Sequence, residues 1–271
     1  MRGFAYAAAA LLAMGGAAAG AQTLPAAQQQ RVDELVRLDR AWGPEMTTRG
    51  MMLTMVERER SADGVVYGLK AVGGPTDKPL VLLTWTLGDT HPKKLMYGVT
   101  LGSDGTALCG NLEGPCSDSR TGDPLLLRFQ TEPGEPVRVA LMSPDNSAKL
   151  LAEEMPLPLE ASEGSCTLRA VLLARNAEVV LVEGTGFPPA MPMTVTSTSN
   201  GETRTNMKRS DAEGYFLMAN LPKTNGADSG EVKMTVKSTT CAPTLTVPWG
   251  QMQLAQGRTT EKNPVAEAAQ Q

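Results

Sequence analysis

Four cysteines carry the most defined chemistry in this sequence of 271 residues. No Cys-x-x-Cys motif is present, and the single histidine, His91, lies far from every cysteine, so the spacing does not favour zinc binding or thiol–disulfide catalysis. In an exported chain, four cysteines predict two disulfides, for which three connectivities are possible. We favour Cys109 with Cys116 across a short loop containing Gly and Pro, and Cys166 with Cys241 around a longer segment.

Acidic side chains cluster around the first of these pairs. The candidate ligand loop, residues 103–123, is polar and contains Asp104, Glu113, Asp118 and Asp123. Carboxylate oxygens are ligands that Ca²⁺ prefers, and a disulfide would stiffen the loop that carries them. The Asp-x-Asp-x-Asp spacing of an EF-hand is absent, and a solvated polar loop explains the same residues. We therefore predict a recognition loop, with a calcium site as the alternative.

Methionine is abundant, with 15 in the chain, and four lie close together at Met46, Met51, Met52 and Met55. Thioether sulfur is a good ligand for Cu(I), so this group is a candidate copper site. However, Met51, Leu53 and Met55 alternate along one face of a predicted strand, which is the pattern of a core. We expect core packing here, with periplasmic copper binding as the alternative.

Composition and motifs narrow the function classes. The net charge is −4 and no segment is basic, which excludes a nucleic-acid binder that works through a positive field and disfavours anionic membranes as partners. One histidine disfavours a Ser-His-Asp triad, and no G-x-S-x-G, H-E-x-x-H or phosphate-binding loop is present. The many carboxylates leave hydrolysis of carbohydrate open as an alternative. We expect no cofactor.

The two ends of the chain differ from its middle in their pattern of residues. Residues 1–21 combine one Arg, a short Ala-rich apolar run and an Ala-Gly-Ala end, which predicts a signal peptide cleaved after Ala21 rather than a membrane anchor. Residues 22–44 form a polar start and a short helix over 28–41, either packed on the first domain, acting as a linker or binding a partner. The tail, 251–271, has no sustained pattern and is predicted to be disordered.

Between these ends, short runs rich in Val, Leu, Met and Thr alternate with Gly, Pro, Asp and Asn. We predict strands near 50–58, 64–72, 79–87, 94–102, 124–130, 136–143 and 147–154, then near 166–174, 178–183, 191–199, 202–209, 214–219, 230–238 and 243–248. No helical crossover separates them, so the sheets should be antiparallel. The sequence therefore predicts an all-β protein of two tandem antiparallel β-sandwich domains, 45–158 and 159–250, preceded by the short N-terminal helix.

The second of these segments resembles known modules. Gly184-Thr185-Gly186-Phe187-Pro188 is followed by a Thr/Ser-rich strand, and Ser210-Asp211-Ala212-Glu213-Gly214-Tyr215-Phe216 by Leu221-Pro222. Over about residues 160–250 this resembles bacterial immunoglobulin-like and carboxypeptidase-regulatory-like β-sandwich domains. The resemblance implies an Ig-like second domain used in display, adhesion or spacing, and it supplies no catalytic residue.

Together these features predict an exported, non-catalytic binding or adhesion module, or a structural module of the envelope, in the periplasm or outside the cell. Its partner would be an unidentified protein or glycan at the cell envelope, with no nucleic acid and no membrane insertion after signal cleavage. The alternatives are a periplasmic protein that binds copper or calcium, and a secreted hydrolase acting on carbohydrate.

Overall fold

The computed structural model describes residues 43–250, apart from 62–63, 88, 90–91 and 225, together with residues 26, 29, 30, 32 and 33. The predicted signal peptide, the predicted disordered tail and most of the predicted helix lie outside the described residues. The described part is built from 16 antiparallel strands and two short 3-10 turns, which confirms the all-β prediction. Among the described helical residues, none forms a helix long and apolar enough to cross a membrane.

The first eight strands form two antiparallel sheets. A sheet of three strands has the order β1-β2-β6, and a sheet of five has the order β5-β4-β3-β7-β8. The bounds are β1 Met52–Ser61, β2 Gly64–Val72, β3 Leu80–Trp85, β4 Lys93–Leu101, β5 Ala107–Cys109, β6 Leu126–Phe129, β7 Val137–Met142 and β8 Lys149–Glu154.

The last eight strands form two further antiparallel sheets of four strands each, in the orders β14-β11-β10-β9 and β13-β12-β15-β16. Their bounds are β9 Leu159–Glu163, β10 Cys166–Leu172, β11 Val180–Thr185, β12 Pro192–Ser199, β13 Glu202–Arg209, β14 Phe216–Asn220, β15 Ser229–Lys237 and β16 Thr244–Gly250. No described sheet combines strands from before and after residue 158, although the division into domains there stays a prediction.

Alternation of apolar and polar residues explains which strand faces are buried. In β15, Val232, Met234 and Val236 are fully buried, while Lys233 and Lys237 on the opposite face are exposed. β7 differs, because all six of its residues are buried. One face of β7 packs in the first main core, and the other joins a small cluster with Trp85. Trp85 is therefore buried, but on the opposite face of its sheet from the main core.

Two strands were absent from the sequence-based prediction. β5 lies inside the predicted loop 103–123, and β9 follows the Pro-containing segment 155–158 without a gap for a linker. Both are short and lie at the edge of a sheet, so the pairing that defines them comes from a neighbouring strand rather than from their own pattern. The candidate ligand loop is consequently shorter than predicted, with Ala107 and Cys109 fully buried in it.

The N-terminal helical residues contact the second half of the chain rather than the first. Val32 is 5% exposed and packs against Leu173 and Val179, with Leu181 at the margin of the cluster. These three residues lie outside the main core of the last eight strands. The described contact of Val32 is thus with residues after 158 and not with the first domain, which was one of the three alternatives for this helix.

Candidate functional site

The structure joins Cys109 to Cys116 and Cys166 to Cys241, the two pairs predicted from the sequence. The first disulfide closes a seven-residue separation and holds the 3-10 turn Gly114–Cys116 beside β4. The second spans 75 residues and lies in the core between the last two sheets. All four cysteines are buried, and no free thiol is present among the described residues.

The four acidic candidates do not converge on one point. Asp104 accepts hydrogen bonds from the Thr106 backbone N–H at 3.0 Å and hydroxyl at 2.7 Å, and these bonds lower the pKa of its carboxyl. Asp123 accepts a bond of 2.8 Å from the backbone N–H of Arg120. Glu113 and Asp118 are exposed. Within the described ranges, no group of three or more His, Cys, Asp or Glu side chains is arranged to hold a metal ion.

The four methionines also occupy separate environments. Met55 is 4% exposed in the first core, and Met51 packs at the margin of that core. Met52 points to the opposite face of β1 and is 51% exposed, while Met46 lies in a 3-10 turn and is 48% exposed. The core pattern predicted for Met51, Leu53 and Met55 is found, and the strand separates Met52 from the two that share a face.

A buried carboxylate marks the contact between the two halves of the chain. Glu135 is 5% exposed, accepts a 3.2 Å hydrogen bond from the backbone N–H of Glu132, and lies 3.8 Å from the Arg175 guanidinium. Burial raises the pKa of the Glu135 carboxyl despite these favourable partners. Arg175 also donates to the Thr86 hydroxyl at 3.3 Å, so the cluster ties residues before 158 to a loop after it.

A cleft opens at one end of the last two sheets, where the β12–β13 hairpin faces the segment that follows β14. It is small and open to solvent. Hydroxyl groups, one carboxylate, one guanidinium and an apolar wall line it together, from Ser197, Ser199, Glu202, Arg204, Leu221, Pro222 and Thr224. Because these residues come from two separate stretches of the chain, the site exists only once the sheets have packed.

The β12–β13 hairpin positions four side chains of the cleft through a two-residue turn and through the alternation of side chains along each strand. Asn200 and Gly201 have φ values of 46° and 82°, as the predicted turn requires. Met193 and Val195 point into the core and are 1% exposed, and the next two inward positions of β12 are Ser197 and Ser199. The interior therefore changes from apolar to polar along one strand face, and this change creates the cleft.

Buried amide and indole groups hold the two serine hydroxyls in place. Asn220 Nδ2 donates to Ser197 Oγ at 3.1 Å, and Trp249 Nε1 donates to Ser199 Oγ at 3.0 Å. Each hydroxyl accepts one bond, and neither donates to another residue within the described part of the chain. Asn200 Nδ2 similarly donates to Thr224 Oγ1 at 3.3 Å. The cleft thus presents oriented hydroxyl groups that still have a hydrogen to donate.

The charged rim of the cleft comes from β13. Glu202 and Arg204 share one face of the strand, and their side chains approach to 3.4 Å while remaining 42% and 45% exposed. An exposed pair of this kind contributes little to stability, so both groups remain available to a ligand. Leu221 and Pro222 form the apolar wall opposite. The arrangement can hydrogen-bond a polar ligand while covering one apolar face of it.

The sequence-based prediction missed this site. It identified Asn200-Gly201 as a turn and the inward side of β12, but it did not use the end of the apolar alternation after Val195. Serines at two successive core-facing positions were the available signal, since a buried hydroxyl needs a partner elsewhere in the fold. That signal could not name Asn220 or Trp249 as the partners, because they lie on other strands.

Comparisons with known proteins leave the family open. No family model matches the chain, and no curated protein matches it. The chain is similar to a tetra-tandem repeat from the extending region of a large adhesion protein, at 12% identity and a TM-score of 0.25, over 73% of this chain and 48% of the other.

Two further similarities are to adhesins that bind ice. A Ca²⁺-stabilized adhesin of an Antarctic bacterium matches at 17% identity and a TM-score of 0.20, over 75% of this chain and 49% of the other. A 1.5-MDa bacterial ice-binding adhesin matches at 14% identity and a TM-score of 0.20, over 75% and 65%. The chain thus spans less than two thirds of each, and scores this low do not establish a common fold. The resemblance of residues 160–250 to Ig-like domains stays a prediction.

Proposed function

We propose that this protein is an exported, non-catalytic binding module of the cell envelope, and that its cleft takes one sugar unit of a glycan. The observation that carries the proposal is the lining of the cleft, which combines oriented hydroxyls, a carboxylate, a guanidinium and an apolar wall. The two disulfides support export, since such bonds persist in oxidising compartments, and they suit the periplasm and the cell exterior equally.

A sugar matches this lining because each of its hydroxyls both donates and accepts hydrogen bonds. Ser197 and Ser199 supply donors, Glu202 supplies an acceptor, and Arg204 supplies a fork of N–H donors. The C–H face of a sugar ring is apolar and would lie on Leu221, next to Pro222. The cleft is small and open to solvent, which favours contact with one exposed ring over enclosure of a longer segment.

Binding is favoured over hydrolysis by the number of carboxylates. Glycoside hydrolases of the common type place two carboxyl groups on either side of the scissile bond. The cleft lining described here contains one, Glu202, and its neighbour is the cation Arg204. A carboxylate beside a guanidinium offers an acceptor next to a set of donors, which suits recognition of a ligand that carries hydroxyl groups.

A glycan array followed by NMR titration tests the proposal. The mature chain is screened on the array, and each sugar that binds is titrated into ¹⁵N-labelled protein at a concentration where the chain sediments as a monomer. We expect shifts in the amides of Ser197, Ser199 and Thr224, and at least a tenfold weaker Kd for Glu202→Gln. Glu231→Gln is the matched control, because Glu231 is exposed on a neighbouring strand away from the cleft.

Two results would overturn this proposal. The first is an array on which no glycan binds the folded chain. The second is binding whose amide shifts map to residues 110–118 while the cleft stays unchanged, which would assign recognition to the stapled loop instead.

A further inference from the structure

The strand β13 is an unprotected edge of its sheet. It pairs with β12 along all eight residues without a bulge, and no strand of the described residues lies on its other side. Met207 at its middle is 66% exposed. The edge strand β8 is different, because Thr48 and Thr47 cover it with hydrogen bonds to Lys149 and Leu151. A bare edge of this length is a template for another strand.

The turn fixes which backbone groups of β13 are free. In a hairpin with a two-residue turn, the residues flanking the turn, here Ser199 and Glu202, form a hydrogen-bonded pair, and such pairs alternate along the ladder. The N–H and C=O groups of Glu202 and Arg204 therefore point to β12. Those of Thr203, Thr205 and Met207 point to the open edge, where an incoming strand would meet them.

We propose that the occupant of this edge is a second copy of the chain, paired antiparallel through β13 about a twofold axis at Thr205. In this register Glu202 lies opposite Lys208 of the second copy, and the same pair forms again on the other side of the axis. Arg204 lies opposite Asn206, and Thr203 opposite Met207. Glu202 and Lys208 fall at positions without ladder bonds, where side chains approach most closely.

Charge selects this register over its neighbours. If the register shifted by one residue, the free N–H and C=O groups of one copy would lie opposite groups of the other copy that are already bonded to β12. The next symmetric register in one direction places Arg204 opposite Arg204 of the second copy. In the other direction it places Arg204 opposite Lys208. Like charges directly opposite one another are unfavourable, and of these three registers only the one about Thr205 joins opposite charges.

The pairing would extend the four-stranded sheet into one of eight strands. Glu202, Arg204 and Lys208 share the face of β13 on which the cleft lies, so Lys208 of each copy would lie beside the cleft of the other. The inference goes beyond the proposed glycan binding and does not depend on it, because the free edge and its charges exist with or without a ligand.

Charge reversal tests the pairing by sedimentation velocity of the mature full-length chain over a range of concentrations. We expect a reversible dimer in the wild type. Lys208→Glu alone and Glu202→Lys alone each replace two attractive pairs by two repulsive ones and should weaken association roughly 30-fold. The double variant E202K/K208E should restore it. Lys237→Glu, exposed on β15, is the matched control and should leave association unchanged.

A proline variant tests the edge by a second route. Thr205→Pro removes an N–H that faces away from β12, so the hairpin should keep its fold, as circular dichroism would show, while the intermolecular ladder is lost. A wild type that stays monomeric at every concentration would overturn the proposal. So would a dimer that tolerates either single reversal or Thr205→Pro, or one that the double reversal fails to restore. Monomeric protein that still binds glycan would leave the proposed function standing.

Discussion

The two disulfides should stabilise the protein by different amounts, because they close loops of very different length. Replacing Cys166 and Cys241 by Ala reopens a separation of 75 residues, and replacing Cys109 and Cys116 reopens one of seven. The loop-entropy model gives losses of about 4.5 and about 2.4 kcal/mol in the free energy of unfolding. The difference, about 2 kcal/mol, depends only on the ratio of the loop lengths and is the sharper prediction.

Urea denaturation followed by tryptophan fluorescence measures both losses. Trp85 lies in the cluster beside the five-stranded sheet, and Trp249 lies in the core that holds the second disulfide. With an m value of about 2 kcal/mol/M, the long-loop variant should lower its transition midpoint by about 2 M, and the short-loop variant by about 1 M. Variants with a single tryptophan separate the signals if the two halves unfold independently.

The result that refutes this reasoning is equal destabilisation by the two double variants, or a larger loss from the short loop. Either would mean that contacts in the folded state, rather than the freedom of the unfolded chain, set the contribution of these bonds. A loss seen mainly by Trp85 after removal of Cys166 and Cys241 would also contradict it, because that pair lies in the core containing Trp249.

Three further predictions concern single side chains. Glu135→Gln should become more stable relative to the wild type as pH rises from 4.5 through the raised pKa, because the buried wild-type carboxyl must ionise over that range. Denaturation at several pH values measures this difference, and a difference that does not change with pH would contradict the reasoning. Gly214→Ala should lower the free energy of unfolding by about 2 kcal/mol or more, since φ is 76° and the new Cβ would lie 2.1 Å from a carbonyl oxygen. Gly201→Ala, at φ 82° with open space around it, should lower it by about 1 kcal/mol. Equal shifts in the thermal midpoint of the two variants would contradict the role of the carbonyl contact. Ser199→Ala should cost about 1–3 kcal/mol in chemical denaturation by leaving the buried Trp249 N–H without its acceptor, and an unchanged midpoint would show that another acceptor replaces it.

The sequence predicted those features that depend on residues close together in the chain. The strand predicted near 230–238 is found, with Val232, Met234 and Val236 on its buried face, because a period of two is a property of extended backbone. Just before the strand predicted near 214–219, Asp211 forms a turn by accepting hydrogen bonds from the backbone N–H groups of Glu213 and Tyr215. Phe216, at the start of β14, packs edge-on against Phe187 with ring centroids 5.2 Å apart.

Features that depend on distant partners could not be obtained in the same way. The strands β5 and β9 exist because neighbouring strands pair with them, and Val32 is buried because an outer sheet face is apolar. The cleft is the extreme case, since its hydroxyls, its apolar wall and the donors that orient its serines come from three separate stretches of the chain. The amino-acid composition does not predict the cleft, because hydroxyl residues are common on the exposed faces of strands.

The β12–β13 hairpin shows why the cleft and the open edge occur together. If the sheet interior were apolar to its end, the inward positions after Val195 would hold apolar residues. They hold two serines instead, and the hydroxyls of these serines accept hydrogen bonds from Asn220 and Trp249. Next to this polar end, most residues of β13 are exposed on both faces of the strand. The same alternation then gives β13 two uses. Glu202 and Arg204 serve the cleft through their side chains, and Thr203, Thr205 and Met207 offer their backbone groups to a second strand. A ligand in the cleft and a partner at the edge would therefore act on one element, and Lys208→Glu, which lies outside the cleft lining, separates them experimentally.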